Sequence, residues 1–394
     1  MKRVLAILRL KGLHSAFPSP QITQLVLHSV LVGIVAGLGT LVFSHALDFT
    51  SRLCIKDTCG VVLPVEGSRS ASASSATEVG NAGVYQYVHP PMRKRIWILV
   101  VPALGGLLCG LLVYRFAPET EGHGTDAVVD AFHRKDGFIR RRVPLVKMVS
   151  SILTLSTGGN AGREGPVAQI SAGFGSFLAD LLKLTPRRRR ILVLAGVGAG
   201  VGSMFRSPLG GALFAVEVLY RETEFEYEAL IPAFIATIVG YTTYASLTDS
   251  GMGSIFTIPY GTVMTDPRHL LLSLLLVPFL VGAGLAYIKG FYGITAYFKN
   301  EVPVSPAIKP MLGGLALGII GFADPRLLTT GYGWVQQAIE NHLAVSLMLW
   351  LAAAKIVLTG VTIGSGGSGG IFGPSMVIGD RKSTRLNSSH VALS

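Results

Sequence analysis

Charge is scarce in this chain: 14% of its 394 residues are Asp, Glu, Lys or Arg, against 50% hydrophobic residues and a mean hydropathy of +0.53. A soluble domain carries about 25% charged residues. An aqueous surface over most of the chain is therefore excluded, and lipid is the solvent that the composition implies. Cysteine is scarcer still, at three residues. Cys109 lies inside an apolar run, while Cys54 and Cys59 share a polar stretch where a disulfide could form but unpaired thiols are expected. No Cys or His spacing suits a metal, and neither a metal nor a cofactor is implied. Acidic residues are outnumbered, 22 against 34 Lys and Arg, leaving a net charge of +12. That balance raises nucleic acid as a partner. The cations, however, stand in short runs at the ends of apolar segments: Arg93 to Arg95, Arg140 to Arg142 and Arg187 to Arg190. Loop charges that orient membrane helices explain them, and with no soluble domain to carry it no nucleic-acid binding is expected. A signal core is also lacking. After Lys2 and Arg3 the apolar stretch is broken by Arg9 and Lys11, before the roughly 7–15 residues such a core needs, so residues 1–21 read as a basic amphipathic lead-in.

What is present is apolar sequence in about ten pieces: Ile22–Leu47, Ile96–Phe116, Val143–Leu155, Val167–Leu182, Ile191–Val201, Leu209–Tyr220, Ala229–Ala245, Leu270–Tyr287, Met311–Phe322 and Leu343–Ile363. A helix crossing the hydrocarbon needs about 20 apolar residues, and several pieces fall short. Short, Gly-broken segments at membrane depth survive only where protein buries them or where they line a watery pathway. With 48 Gly and 20 Pro to break them, the expected class is an all-α, multi-pass integral membrane protein whose helices are in many cases tilted, short or re-entrant.

An internal repeat organises these pieces. Gly158–Pro166 reads GGNAGREGP and Gly366–Pro374 reads GGSGGIFGP, an offset of 208 residues. In each copy an apolar segment runs into a Gly cluster, and the Pro falls where a helix can begin at N1. Two related halves, each with a helix starting in mid-membrane, are the trace of an inverted-repeat transporter. The halves are placed at 22–250, which includes a polar loop at 57–95 with the low-complexity stretch Ser68–Ser75, and at 265–380. In the first half FRSPLGGALFAVEV, Phe205–Val218, follows GREGP by 42 residues. Its counterpart would lie past the last residue, and Arg381–Ser394 abandons the apolar pattern. The second half is therefore expected to be incomplete and residues 381–394 to be a non-native or frame-shifted tail.

Helix N-termini present unpaired N–H groups and about half a positive charge, so helices that start within the membrane make anion sites without a cationic side chain. GREGP, GGIFGP and Gly122-His123-Gly124-Thr125-Asp126, the last ahead of a helical stretch Ala127–Phe132, would supply three such ends. Glu164, ionisable and flanked by glycine-rich sequence at membrane depth, is a functional candidate by its cost alone. The alternatives are that it caps its helix or pairs with Arg163. Lys147 and Glu217, within apolar runs, are expected to make buried structural pairs.

Gly162-Arg163-Glu164-Gly165-Pro166 and Gly370-Ile371-Phe372-Gly373-Pro374 resemble the G-[KR]-E-G-P and G-x-F-x-P signatures of the CLC chloride channels and chloride/proton antiporters, in that family's order and spacing. The likeness runs from about Ile22 to Gly379. It implies a CLC-like inverted repeat of membrane helices and a homodimer with one pore per subunit. Function by resemblance is transport of chloride or another small anion as a voltage-gated channel, or alternatively as an antiporter that also moves protons, rather than an enzymatic activity. It implies that Glu164 is the gate, that Arg163, Glu164 and Gly165 line the outer anion site, and that Ile371, Phe372 and Gly373 offer backbone to the central one. Gly162, Pro166, Gly370 and Pro374 shape the two helix starts, and a bacterial inner (plasma) membrane is the implied location. The family's G-S-G-I-P is altered here. His123 stands at the serine, next to Gly124, and Thr125-Asp126 replace Ile-Pro; His123 could donate to the anion, add pH sensitivity or cap its helix. Val218 stands where antiporters of the family often carry an inner glutamate, and the family's late tyrosine has no counterpart in this sequence. A rival reading, an intramembrane serine protease resembling the rhomboids, rests on Gly366-Gly367-Ser368-Gly369. It lacks a later membrane histidine to activate the serine, His390 being the only later one.

Overall fold

A computed structural model describes residues 20–64, 90–219, 227–248, 253–256, 268–339 and 343–378. Most of the 1–21 lead-in, the Ser68–Ser75 stretch of the polar loop and the whole 381–394 tail lie outside the described residues. Among those described, the elements are helices: α1 Pro20–Ser51, α2 Met92–Arg95, α3 Trp97–Phe116, α4 Thr125–Arg134, α5 Val143–Ser156, α6 Glu164–Leu181, α7 Pro186–Met204, α8 Pro208–Glu217, α9 Tyr227–Ser246, α10 Arg268–Asn300, α11 Lys309–Ala323, α12 Tyr332–Ile339, α13 Val345–Gly364 and α14 Phe372–Ile378. Among the described residues, extended pairing is limited to two isolated bridges. Four of the described helices are long and apolar enough to cross a membrane, and α5, α8 and α11 are apolar but shorter. Large apolar side chains such as Phe49, Leu104, Leu213 and Val345 face outward, which in water would be a patchwork of sticky surface and in lipid is the solvated face.

A shift of 208 residues carries α3 onto α11, the 3-10 turn Pro118–Thr120 onto Pro325–Leu327, α4 onto α12, the end of α5 onto the end of α13 and the start of α6 onto the start of α14. The contacts repeat with the elements. Gly162 N–H donates to Gly370 O and Gly370 N–H to Gly162 O, both at 2.6 Å. Asn160 N–H donates to the Thr362 hydroxyl and Ser368 N–H to the Thr154 hydroxyl, both at 3.1 Å. Equivalent residues that exchange the same bond in both directions are related by a two-fold axis, so the repeat is inverted and its axis passes between Gly162 and Gly370. Close approach repeats as well. A Cβ on Gly106 would run into the Pro310 carbonyl, and one on Gly314 into the Pro102 carbonyl, the same contact seen from either side.

Two fully buried ammonium groups brace the halves. Lys147 donates to the carbonyls of Thr120 (3.0 Å) and Gly122 (2.7 Å). Lys355, its equivalent by the offset, donates to Asn160 Oδ1 and to Thr329 O. Lys147 is thus held by backbone carbonyls rather than by a carboxylate partner, and Glu217 is exposed at the end of α8, so the expected buried pair is not formed there. Two further expectations differ. The helices at the repeat begin at Glu164 and Phe372, two residues before Pro166 and Pro374. The prolines still fall in the first turn, where no N–H has an intrahelical partner to lose. Arg187 to Arg190 is the first turn of α7 rather than a loop. Cations oppose the dipole there, and carboxylates offset them: Asp180 lies 2.7 Å from Arg189, Asp136 lies 2.6 Å from Arg190, and Glu228 pairs with Arg187. At the opposite polarity, Arg95 donates to Phe322 O (2.8 Å) and Ala323 O (3.1 Å), closing the C-terminus of α11.

Gly106→Ala and Gly314→Ala are each expected to destabilise by about 1–3 kcal/mol, read as a lower melting temperature in detergent. Unchanged melting of either would mean that the α3–α11 approach is loose. Lys355→Met leaves Asn160 Oδ1 and Thr329 O short of a donor and is expected to cost about 2–3 kcal/mol in the same measurement. Equal or greater stability would show that the ammonium costs more in desolvation than it returns.

Candidate functional site

Three glycine loops meet at the two-fold. Each needs backbone that a Cβ would resist: Gly158 and Gly366, equivalent by the offset, open their loops at φ +109° and +103°. The loop before α4 joins through Gly369 N–H, which donates to Gly122 O at 3.2 Å. The N-termini of α4, α6 and α14 consequently start at Thr125, Glu164 and Phe372 around one point. Gly165 abuts His123 O and the Gly370 backbone so closely that a Cβ there would collide with both. Tyr287 of α10 donates to Ile371 O at 3.2 Å and so holds the last loop from outside. The Phe372 ring stands edge-on to Phe214 of α8, with centroids 5.3 Å apart, and Gly373 lies against Gly162 and Tyr332. Among the sequence candidates, His123, Gly124, Gly162, Arg163, Glu164, Gly165, Pro166 and Gly370 to Pro374 are therefore brought together.

Glu164 is the first residue of α6 and is 1% exposed. Its Oε1 accepts a hydrogen bond from the Tyr332 hydroxyl. Arg163 turns its guanidinium over the Tyr332 ring, 5.5 Å from the centroid, so both residues of the motif engage α12. A buried carboxylate at a helix start receives the field of the helix dipole and a hydroxyl donor, the two terms that make an anion tolerable away from water.

His123 is placed differently from the first of its sequence alternatives. Its Nε2 lies 2.9 Å from Asp126 Oδ2, and its Nδ1 lies 2.5 Å from the Thr125 hydroxyl. A carboxylate only accepts, so Nε2 carries the proton toward Asp126, and Nδ1 is satisfied by Thr125. In this arrangement the ring has no N–H left for an anion; it bonds two side chains of the first turn of α4, whose N-cap residue, Gly124, is left without a side-chain cap. Ser368 is likewise committed. Its hydroxyl sits 3.0 Å from Ser150 Oγ, 2.9 Å from Ser151 Oγ and 3.2 Å from Thr120 O, with no imidazole among these partners, so it is not arranged as a nucleophile. No three His, Cys, Asp or Glu side chains cluster as a metal site among the described residues.

Sequence reasoning missed Tyr332, Asn160 and Lys355. The lysine was findable, because Lys147 shifted by the repeat offset lands on it. Tyr332 had no such signal: it lies 168 residues from Glu164 outside both motifs.

The profile of the family described as voltage gated chloride channel matches residues 105–380. An uncharacterised protein of Methanocaldococcus jannaschii is 31% identical over 72% of this chain and 69% of its own length. The voltage-gated ClC-type chloride channel ClcB of Salmonella dublin is 27% identical over 90% of this chain and 78% of its own. Among solved structures, a slow cyanobacterial Cl-/H+ antiporter superposes with a TM-score of 0.73 at 21% identity, over 94% of this chain and 80% of that one. With the inverted repeat, the two glycine motifs and these likenesses in agreement, this chain belongs to the CLC family, integral membrane proteins that transport anions.

Proposed function

We propose that the protein exchanges chloride, or another small anion, for protons through a pathway gated by Glu164. The observation that carries this reading is the position of the carboxyl group: buried at a helix start, where three N-termini meet and where an anion would otherwise be stabilised. An ionised carboxylate and a mobile anion compete for the same donors. When the carboxyl takes a proton it loses its claim on them, the anion enters, and the proton is carried with the moving side chain. In this scheme the backbone of Arg163, Glu164 and Gly165 forms the outer site and that of Gly124, Ile371, Phe372 and Gly373 the inner one. Gly162, Pro166, Gly370 and Pro374 set the helix starts, and His123 holds the Thr125 and Asp126 side chains rather than binding the ion. The name of the structural neighbour, a Cl-/H+ antiporter, supports the coupling.

A channel is the second reading. Val218, half-buried at the end of α8, cannot relay a proton, and the Salmonella relative carries a channel name. We further infer halves at 22–250 and 265–380 built on the same axis, a lipid-embedded homodimer, and a prokaryotic plasma membrane, on the strength of archaeal and bacterial relatives.

In proteoliposomes holding a chloride gradient, the wild type is expected to drive protons against the anion flow. Glu164→Ala is expected to cut proton movement at least about tenfold while chloride still passes. Chloride flux with no proton movement in the wild type would decide for the channel, and proton movement that survives the substitution would remove Glu164 as the gate. His123→Ala removes one side-chain hydrogen bond and a half-exposed ion pair and is expected to lower stability by no more than about 1 kcal/mol, with the chloride-to-nitrate preference intact. A changed preference would put the ring back on the anion.

A further inference from the structure

The gate has a partner that neither motif contains. We propose that Tyr332 is a positioning residue for Glu164: its hydroxyl holds the ionised carboxylate in the anion pathway and donates to the arriving anion once the carboxyl has left. The proposal rests on the reading of Glu164 as gate and goes beyond it by naming what sets the gate's resting position.

Four observations converge on the tyrosine. Its hydroxyl donates to Glu164 Oε1. The same oxygen lies beside the start of α14, so near that a Cβ on Gly373 would sit 2.8 Å from it, and the donor is thus shared between the carboxylate and the space the helix starts face. The ring is fixed by the Arg163 guanidinium and by the edge of Phe256, 6.1 Å between centroids.

The fourth observation is strain in the segment that presents Tyr332. Thr329, a β-branched residue, has φ +63°, a left-handed conformation that such residues avoid and that persists only where the surroundings impose it. They impose it here from the gate's own loop. Thr329 N–H donates to Gly158 O at 3.0 Å and the Thr330 hydroxyl to Ala161 O at 2.8 Å. Lys355 ties Thr329 O to Asn160 Oδ1. The loop before Glu164 and the loop before Tyr332 are one unit, so the hydroxyl and the carboxyl are registered against each other before any ion arrives.

The chemistry follows from what a phenol can do. It donates one hydrogen bond, more strongly to a carboxylate than to a carboxylic acid. Holding the ionised form closes the pathway and opposes protonation. Protonation weakens the bond, frees the carboxyl and leaves the donor to the anion. Among the described residues, other charged and titratable groups stand on the elements packed around the carboxyl, and Lys355 of α13 is engaged by Asn160 Oδ1 and Thr329 O. Arg163 lies on its own helix start and faces the tyrosine ring. The Gly366–Gly373 loop carries no ionisable side chain. On the α4 loop His123 presents its carbonyl toward Gly165 and its ring to Asp126.

The test is the pH profile of chloride efflux from proteoliposomes for the wild type, Tyr332→Phe, Glu164→Ala and the double variant. Phenylalanine keeps the ring and its contacts and removes only the donor. The profile is expected to move to higher pH by about one unit, the worth of a charge-assisted hydrogen bond. Replacing Tyr332 with a fluorinated tyrosine, a stronger donor, is expected to move it the other way. In the Glu164→Ala background Tyr332→Phe should leave the pH dependence unmoved, the signature of coupled residues, and lower only the efflux rate, because the anion has lost a donor. A profile unmoved by Tyr332→Phe, or a shift that persists without Glu164, overturns the role of the tyrosine while leaving the gate. A Glu164→Ala profile identical to wild type overturns the gate and this proposal with it.

Discussion

The pair of hydrogen bonds exchanged by Gly162 and Gly370 is the contact on which the arrangement of this protein depends. Both are backbone bonds at 2.6 Å, made by residues with no side chain to intervene, in the middle of a structure whose solvent is hydrocarbon. Unsatisfied peptide groups at that depth cost several kcal/mol each. Two interrupted helices can therefore lie there only if their broken ends satisfy one another, and a two-fold axis lets a single sequence solution do so twice. The matching bonds of Asn160 to Thr362 and of Ser368 to Thr154 extend the same economy outward. Each half supplies the hydroxyl that the other half's loop lacks.

Once the ends are paired, the helix starts have to point at a common place, because the bridging residues lie two positions before Glu164 and Phe372. Convergence of the N-termini is thus a consequence of backbone satisfaction, and the anion site proposed there would need no lysine or arginine aimed at the ion. The buried ammoniums of Lys147 and Lys355 stand behind this arrangement. They grip the carbonyls of the turns before α4 and α12, fixing where those helices begin.

Much of this was legible in the sequence, and what was not has identifiable causes. The apolar runs mark the helices because hydrophobic length is a strong signal in lipid. The glycine motifs mark the loops because positive φ at Gly158 and Gly366 demands that residue. The exact helix starts were misplaced because proline is tolerated anywhere in the first turn, so Pro166 and Pro374 limit the start without fixing it. The arginines of α7 looked like loop charges because their carboxylate partners, Asp136, Asp180 and Glu228, sit on other elements. For His123 the neighbours decided: Thr125 and Asp126 were visible in the sequence, but that they would occupy both ring nitrogens was not. Tyr332 was invisible for the same reason on a larger scale, since a hydroxyl delivered from 168 residues away leaves no local pattern.

The inverted repeat also determines where sidedness can come from. Two identical halves around a two-fold would make the route the same read from either face of the membrane, and nothing in it could distinguish inward from outward. The offset that pairs Gly162 with Gly370 pairs Glu164 with Phe372, so one helix start carries a group that changes charge and its mirror image carries a ring that cannot. The halves differ elsewhere too, Arg163 standing against Ile371, but under the gating proposed for Glu164 this is the mismatch at which the two directions across the membrane would part.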